Sequence, residues 1–307
     1  MDISVILPTY NPNTSVINAC LNALKAQTLD HKNWELIIVD NNSTNGVPEL
    51  LDVSWHTNNR LVKEPKQGLT FSRICGFKQA KGDVVIMVDD DNILAPGYLQ
   101  SVINFFDKNT QAGAIGGKIT GKFDGFVPEE WTKQFWGMLA VRDFGEQHII
   151  SEPALTNTYP DCAPVGAGMA VRSNLLQAYI STISNQKNVT TDRTGNSLSS
   201  GGDNEIVIAV LKQGYSVAYL PELELQHIIP SSRLTVDYLA RLNYDSSKSW
   251  VRLLLKYSLS HYKKIPDYTV GPRKLKSWLT AKAWASKINY IKWKGYCGIF
   301  DGLANKN

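Results

Sequence analysis

An α/β fold with a mostly parallel sheet, doubly wound in its first part, is predicted by three features of this sequence. Short apolar segments alternate with segments of helical periodicity. Polar side chains recur where the apolar segments stop: Thr9 and Asn11, then Asp40 and Asn42, then Asp89 and Asp91. At the centre of the pattern, Val84 to Val88 is a continuous run rich in β-branched residues that ends in Asp89-Asp90-Asp91. Such a run reads as a strand buried on both faces. The carboxyl ends of such strands are where open α/β sheets place their ligands.

Taken in order, Ile3 to Leu7 predicts the first strand, closed by Pro8-Thr9-Tyr10-Asn11-Pro12. Val16, Ala19, Cys20, Ala23 and Leu24 have helical spacing and predict a helix from about Ser15 to Ala26. Leu36 to Val39 is the second strand, and Leu61 to Glu64 the third. Gly68 opens a helix that runs to about Ala80, and the Val84 strand follows. A further helix is expected near Ala95-Pro96, with proline in an early helical position. Ala114 to Ile119 and Pro164 to Val171 read as strands, with a Gly-interrupted aromatic helix between Phe123 and Phe144. Ser184 to Ser200 is polar and reads as a mobile loop. A helix from about Gly202 to Lys212 stops at Gly214. Ser216 to Leu220 and Glu224 to Gln226 are two more strands, and from Leu234 the pattern is helical. The expected division is 1–232 for the α/β domain and 233–307 for a basic, aromatic helical extension.

Three carboxylates at one strand tip repel one another, and a divalent cation with hard oxygen ligands relieves that repulsion. Alternation along an extended chain points Asp89 and Asp91 to one side, where they could share one metal and its phosphates. Asp90 then faces another way. A solvated acidic turn that caps the next helix explains the triplet equally well.

The four cysteines, Cys20, Cys75, Cys162 and Cys297, show no CxxC spacing, which favours a reduced, cytoplasmic setting and argues against zinc. The sequence starts directly with a strand, so no signal peptide is expected, and no run approaches the ~20 apolar residues of a membrane span. The net charge of +4 hides an asymmetry: from Lys248 onward thirteen lysines and arginines face only Asp267 and Asp301. A basic tail of this kind suggests an anionic partner. Its aromatic residues fit an anionic membrane surface, or equally a helical cover for the core. No nucleic-acid motif accompanies it.

Leu7-Pro8-Thr9-Tyr10-Asn11, Ile38-Val39-Asp40-Asn41-Asn42-Ser43, Gly68-Leu69-Thr70-Phe71-Ser72-Arg73 and Val88-Asp89-Asp90-Asp91 occur in that order. Together they resemble family 2 glycosyltransferases with the GT-A fold, over about the first 230 residues. The resemblance implies sugar transfer from a nucleotide-diphosphate sugar, with inversion, to an acceptor hydroxyl. By it, Pro8, Thr9, Tyr10, Asn11, Asp40 and Asn42 line the nucleotide pocket, Asp40 accepting from the base N–H, which favours a UDP-sugar. Asp40 alternatively only caps its turn. Gly68, Arg73, Asp89, Asp90 and Arg233 belong to the donor site, though Arg73 reads equally as a solvated helix charge. Asp91, with Asp89 and His227, would hold Mn²⁺ or Mg²⁺. Asp203 stands where the family has its catalytic base, with Gly202 where a Glu is usual; Glu205 could assist, or Asp203 could be only an N-cap. Trp131 is the aromatic expected to face an acceptor sugar.

The acceptor stays open among a lipid-linked oligosaccharide, a growing polysaccharide and a protein, the basic tail favouring the lipid-linked case, in bacterial surface assembly at the inner face of the cell membrane. Nucleotidyl transfer is disfavoured because the first strand end lacks a Gly-rich basic loop. A catalytically silent sugar-nucleotide-binding subunit stays open because of Gly202.

Overall fold

A computed structural model of the chain describes residues 1–184, 201–259 and 262–305. The polar stretch read as a mobile loop therefore lies almost wholly outside the described residues. Among the described residues nine strands form one sheet in the order Asn59–Lys63, Trp34–Asp40, Ile3–Thr9, Val84–Met87, Ala170–Arg172, Ala112–Lys122, Ser216–Ile228 and Asn92–Leu94, with Ile149–Ile150 on Ser216–Ile228. In chain order, β1 is Ile3–Thr9, α1 Thr14–Lys25, β2 Trp34–Asp40, β3 Asn59–Lys63, α2 Leu69–Gln79, β4 Val84–Met87 and β5 Asn92–Leu94. There follow α3 Tyr98–Lys108, β6 Ala112–Lys122, β7 Ile149–Ile150, β8 Ala170–Arg172, α4 Leu176–Ser184, α5 Gly202–Lys212 and β9 Ser216–Ile228. The C-terminal part holds α6 Val236–Lys256, α7 Val270–Thr280 and α8 Lys287–Leu303. Two short strands, β10 Ile265–Pro266 and β11 Ala304–Asn305, pair with each other. Among the described residues no helix is long and apolar enough to cross a membrane.

The continuous apolar runs are explained by the layers. Ile3, Val5 and Leu7 of β1, Leu36 and Ile38 of β2, and Val84 and Ile86 of β4 pack with α1 and α3 on one face. Ile6, Ile37, Val39, Val85 and Met87 pack with α2, α4 and α5 on the other. With both faces covered, these strands are apolar except for Ser4 and Glu35, which hydrogen-bond to each other, and the strand ends Thr9 and Asp40.

β3, β2, β1 and β4 are parallel, as expected. β8 is antiparallel to both β4 and β6, and β5 is antiparallel to β9, so the sheet is mixed. Three expectations need correcting. The strand expected over Pro164 to Val171 shrinks to Ala170–Arg172, and the segment before it is a loop. The aromatic helix is a 3-10 stretch, Glu130–Leu139, ended by Ala140 at φ 62°. The two late strands are one, β9, which runs unbroken through Pro221 and Glu222. Gly117 explains the last point: a Cβ there would meet Leu223 O and Leu220 O, so only glycine lets β6 follow β9 through this register shift.

Candidate active site

β1 has β2 on one side and β4 on the other, so the strand order reverses between β1 and β4. A cleft of about 600 Å³ opens at their carboxyl ends, lined among others by Pro8, Thr9, Tyr10, Gly68, Arg73, Asp89, Asp90, Asp91, Asp203, His227 and Arg233. This is the switch-point position that open α/β sheets use for ligands. Thr9 Oγ1 donates to Asp90 Oδ2 at 2.5 Å across it. Burial and the neighbouring Asp91 charge raise the Asp90 carboxyl to about 7.

The three carboxylates diverge, which corrects the expectation that Asp89 and Asp91 point together. The strand ends at Met87, and the chain turns: Asn92 N–H donates to Asp89 O at 3.0 Å, and Asp89 N–H to Asn92 Oδ1 at 3.3 Å. The two-residue alternation of an extended chain therefore does not apply there. Asp89 accepts from Arg73 Nη2 at 3.3 Å, Asp90 takes Thr9, and Asp91 turns to His227. Arg73 is no solvated charge; it is 4% exposed. A Cβ on Gly166 would lie 2.5 Å from its Nη2, so the guanidinium occupies the space that the glycine leaves.

The Asp91 corner is built by β5 pairing with β9, which sets Asn92 opposite His227. Ile228 N–H donates to Asp91 O at 2.9 Å, fixing the backbone. His227 Nδ1 lies 2.8 Å from Leu139 O, a carbonyl that can only accept, so Nδ1 carries the proton. The Nε2 lone pair then faces Asp91 Oδ2 at 3.2 Å, and Arg233 Nη1 donates to both at 3.2 Å. Asp91 and His227 fit a divalent cation: an oxygen and a nitrogen converge, and the imidazole tautomer is fixed by its second nitrogen. Among the described residues no three His, Cys, Asp or Glu side chains converge as a complete metal site. Asp89, engaged by Arg73, is not brought to this pair.

Asp203 lies in the first turn of α5, whose N-cap is Gly201. Its Oδ2 accepts from Gly166 N–H at 3.0 Å and its Oδ1 from Asn204 N–H at 2.9 Å. α2 likewise starts after a glycine, Gly68 at φ 132°. Neither helix has a side-chain cap, whereas Asn13, Thr235 and Ser286 cap α1, α6 and α8. Uncapped N-termini beside a cleft suit an anionic ligand. Gly202 is buried as the first residue of α5.

Two acceptor-side expectations are not met. Glu205 is buried and accepts from Lys256 Nζ at 2.6 Å, so it ties α5 to α6 outside the cleft. Trp131 packs on Phe135 under the Lys287 ammonium and does not line the cleft. In their place α6 contributes Ser246 and Trp250, one helical turn apart. Trp250 meets Tyr159 edge-on at 5.1 Å, and Tyr159 OH donates to Asn204 Oδ1 at 2.8 Å. Burial and the Asp203 charge push the Tyr159 hydroxyl well above its ordinary range. The spacing of Ser246 and Trp250 was readable, but not which face of α6 turns to the cleft.

At the nucleotide end, Asp40 is paired in register with Thr9 and is buried, its Oδ1 accepting from Ser43 N–H at 2.9 Å. Asn11, at φ 46°, accepts from Thr44 and Asn45 N–H, and Asn42, at φ 65°, is exposed. These three shape the turns beside the cleft. The side chain lining it is Asn41, missed by the sequence reading, which donates to Glu64 O and Lys66 O and accepts from Gly68 N–H.

Residues 4–174, more than half of the chain, match the family described as glycosyl transferase family 2. A glucosyl-dolichyl phosphate glucuronosyltransferase from Haloferax volcanii is 26% identical over 48% of this chain and 48% of its own length. A poly(ribitol-phosphate) beta-glucosyltransferase from Bacillus spizizenii is 29% identical over 44% of this chain and 22% of its own length. The matches span about half the length or less of these curated relatives. Among solved structures, S. aureus TarS 1-349 in complex with UDP-GlcNAc is similar at TM-score 0.55 and 16% identity, over 99% of this chain and 90% of that one. The mannosyltransferase PcManGT from Pyrobaculum calidifontis, in complex with GDP-Man and Mn²⁺, is similar at TM-score 0.56 and 17% identity, over 96% and 72%. Both likenesses place the fold as GT-A-like, a curled, mostly parallel sheet flanked by helices.

Proposed function

The chain belongs to glycosyl transferase family 2, and from that premise we propose that it transfers a sugar from a nucleotide-diphosphate sugar to an acceptor hydroxyl, with inversion. The observation that carries the reading is that Asp203 and the Asp91–His227 pair line one cleft. UDP-sugar is the favoured donor, with Thr9, Tyr10 and Asn41 around the nucleotide and Asp40, held by Ser43 N–H, shaping the turn beside Thr9. Arg73 and Arg233 contribute positive charge near the diphosphate. Asp203, oriented by two amide N–H groups, takes the proton from the attacking hydroxyl. Asp91 and His227 would hold Mn²⁺ or Mg²⁺, which when bound supplies charge neutralisation to the departing nucleoside diphosphate.

The acceptor is read as a glycan or lipid-linked hydroxyl entering past Ser246 and Trp250, an indole face being suited to a sugar's C–H surface. The names of the relatives, one involving dolichyl phosphate and one poly(ribitol-phosphate), support a role in building surface polymers. We assign the work to the cytoplasmic face of the cell membrane, residues 1–232 forming the α/β domain and 233–307 a helical extension that adds Arg233, Ser246 and Trp250 to the cleft.

Calorimetric titration with UDP and GDP, with and without Mn²⁺, tests this. Metal-dependent UDP binding is expected. Preference for GDP would overturn the uridine assignment alone. Binding of neither by folded protein would overturn the donor reading, and binding without any product from UDP-sugars would favour a catalytically silent partner subunit.

A further inference from the structure

α7 is a two-sided helix with one side left open. Its inner side is tied to α8: Lys274 Nζ lies 2.7 Å from Asp301 Oδ2, and Trp293 Nε1 donates to Lys274 O at 3.1 Å. Val270 is buried on the same side. Pro272, Leu275 and Leu279 recur at helical spacing on the outer side, where Leu275 is 62% and Leu279 52% exposed. Just beyond the helix, Trp284 is 57% exposed and leans on Trp278 at 4.6 Å between ring centres. Just before it, Tyr268 stands 83% exposed at a shallow groove edged by Arg273 and Lys276.

Apolar side chains scattered singly over a surface need no explanation, but a stripe of leucines with aromatics at both ends does. The charges around the stripe are mostly of one sign, the exposed Asp267 beside Tyr268 being the exception. Arg273, Lys276 and Lys282 are exposed, and no carboxylate among the described residues pairs with them. Between residues 262 and 305 the acidic residues are Asp267 and Asp301, and Asp301 is taken by Lys274.

We propose that the outer face of α7, with Tyr268 and Trp284 at its ends, docks on an anionic lipid bilayer. Leucines enter the boundary of the acyl chains, the Trp and Tyr rings sit at headgroup depth, and Arg273, Lys276 and Lys282 meet lipid phosphates. A soluble polyanion would explain the cations but gives the exposed leucines nothing to contact, which is why a membrane fits better. The contact would supply the membrane location assigned above, yet it stands on this surface and is tested without any sugar transfer.

The test is co-sedimentation of the full chain with vesicles of phosphatidylcholine, alone or with roughly one-third phosphatidylglycerol. The expected result is binding to the anionic vesicles at least ~10-fold stronger than to the neutral ones, weakened by salt. Leu275→Ser with Leu279→Ser should lower that binding ~10-fold or more while circular dichroism and melting stay unchanged. Lys276→Gln with Lys282→Gln should remove the preference for anionic lipid. No binding to anionic vesicles would overturn the proposal. So would leucine variants that bind as wild type, which would point to a polyanion. A dimer in sedimentation velocity that the leucine variant dissociates, without vesicle binding, would overturn it in favour of a second copy of the chain.

Discussion

Two of the carboxylates that line the cleft, Asp91 and Asp203, are held in opposite ways. Asp91 is held by side chains, Asn92, His227 and Arg233, the last two of which are cationic or able to ligate a cation. Asp203 is held by the backbone, through the amides of Gly166 and Asn204. Side-chain partners can be exchanged for a bound cation and a diphosphate, whereas backbone amides cannot leave. The first arrangement suits a group that gains and loses a ligand in each cycle; the second suits a base that must keep one orientation.

Replacing Asp203 by Asn should break this contrast at the chemical step. Transfer is expected to fall by roughly 10³-fold, read as single-turnover product formation from a UDP-sugar. Asp91→Asn or His227→Ala should act at the other corner. Metal-dependent nucleotide affinity should drop about 10–100-fold by calorimetry, with little change in affinity measured without metal.

Gly166 connects Asp203 with the Arg73–Asp89 pair, because its amide holds Asp203 while its missing side chain makes room for Arg73. Gly166→Ala should therefore disturb both, weakening nucleotide binding and transfer together. It should also cost about 1–3 kcal/mol in urea unfolding through overpacking against a buried guanidinium.

The smallest effect lies outside the cleft. His56 is fully buried among His31, Trp34 and Trp55, and burial followed by the nearby His31 lowers its pKa to about 4. Above its ordinary value of 6.5 both folded and unfolded states are neutral there, and its contribution to stability is complete. As pH falls from 6.5 towards 4 the unfolded chain takes the proton first, so stability drops. His56→Asn, which keeps an acceptor for Asn58 N–H, should flatten that slope by roughly 1–3 kcal/mol between the two pH values, measured by urea unfolding. Nucleotide binding at neutral pH should not change.

The donor half of the molecule was legible because its signals are local. A both-faces-buried strand is written as Val84 to Val88, and its ligand-facing end as the carboxylates that follow. What stayed illegible depends on distant partners. The burial of Arg73 needs Gly166, 93 positions later in numbering, to lack a side chain. Glu205 is removed from the cleft by Lys256 on a helix the strand pattern says nothing about. Trp250 enters it only because α6 packs with one face towards α5, and Trp131 is drawn off by the cluster it forms with Phe135 and α8. The shared-metal reading of Asp89 and Asp91 failed for a local reason: the strand ends two residues before the first carboxylate, and Asn92 closes a turn around them.

The most direct measurement is calorimetry of UDP with Mn²⁺ on Asp203→Asn and Asp91→Asn side by side. The predicted result is affinity within about twofold of wild type for Asp203→Asn and a loss of at least ~10-fold for Asp91→Asn. Equal losses in both variants, or none in either, would contradict the division of the cleft into an exchangeable donor corner and a fixed base.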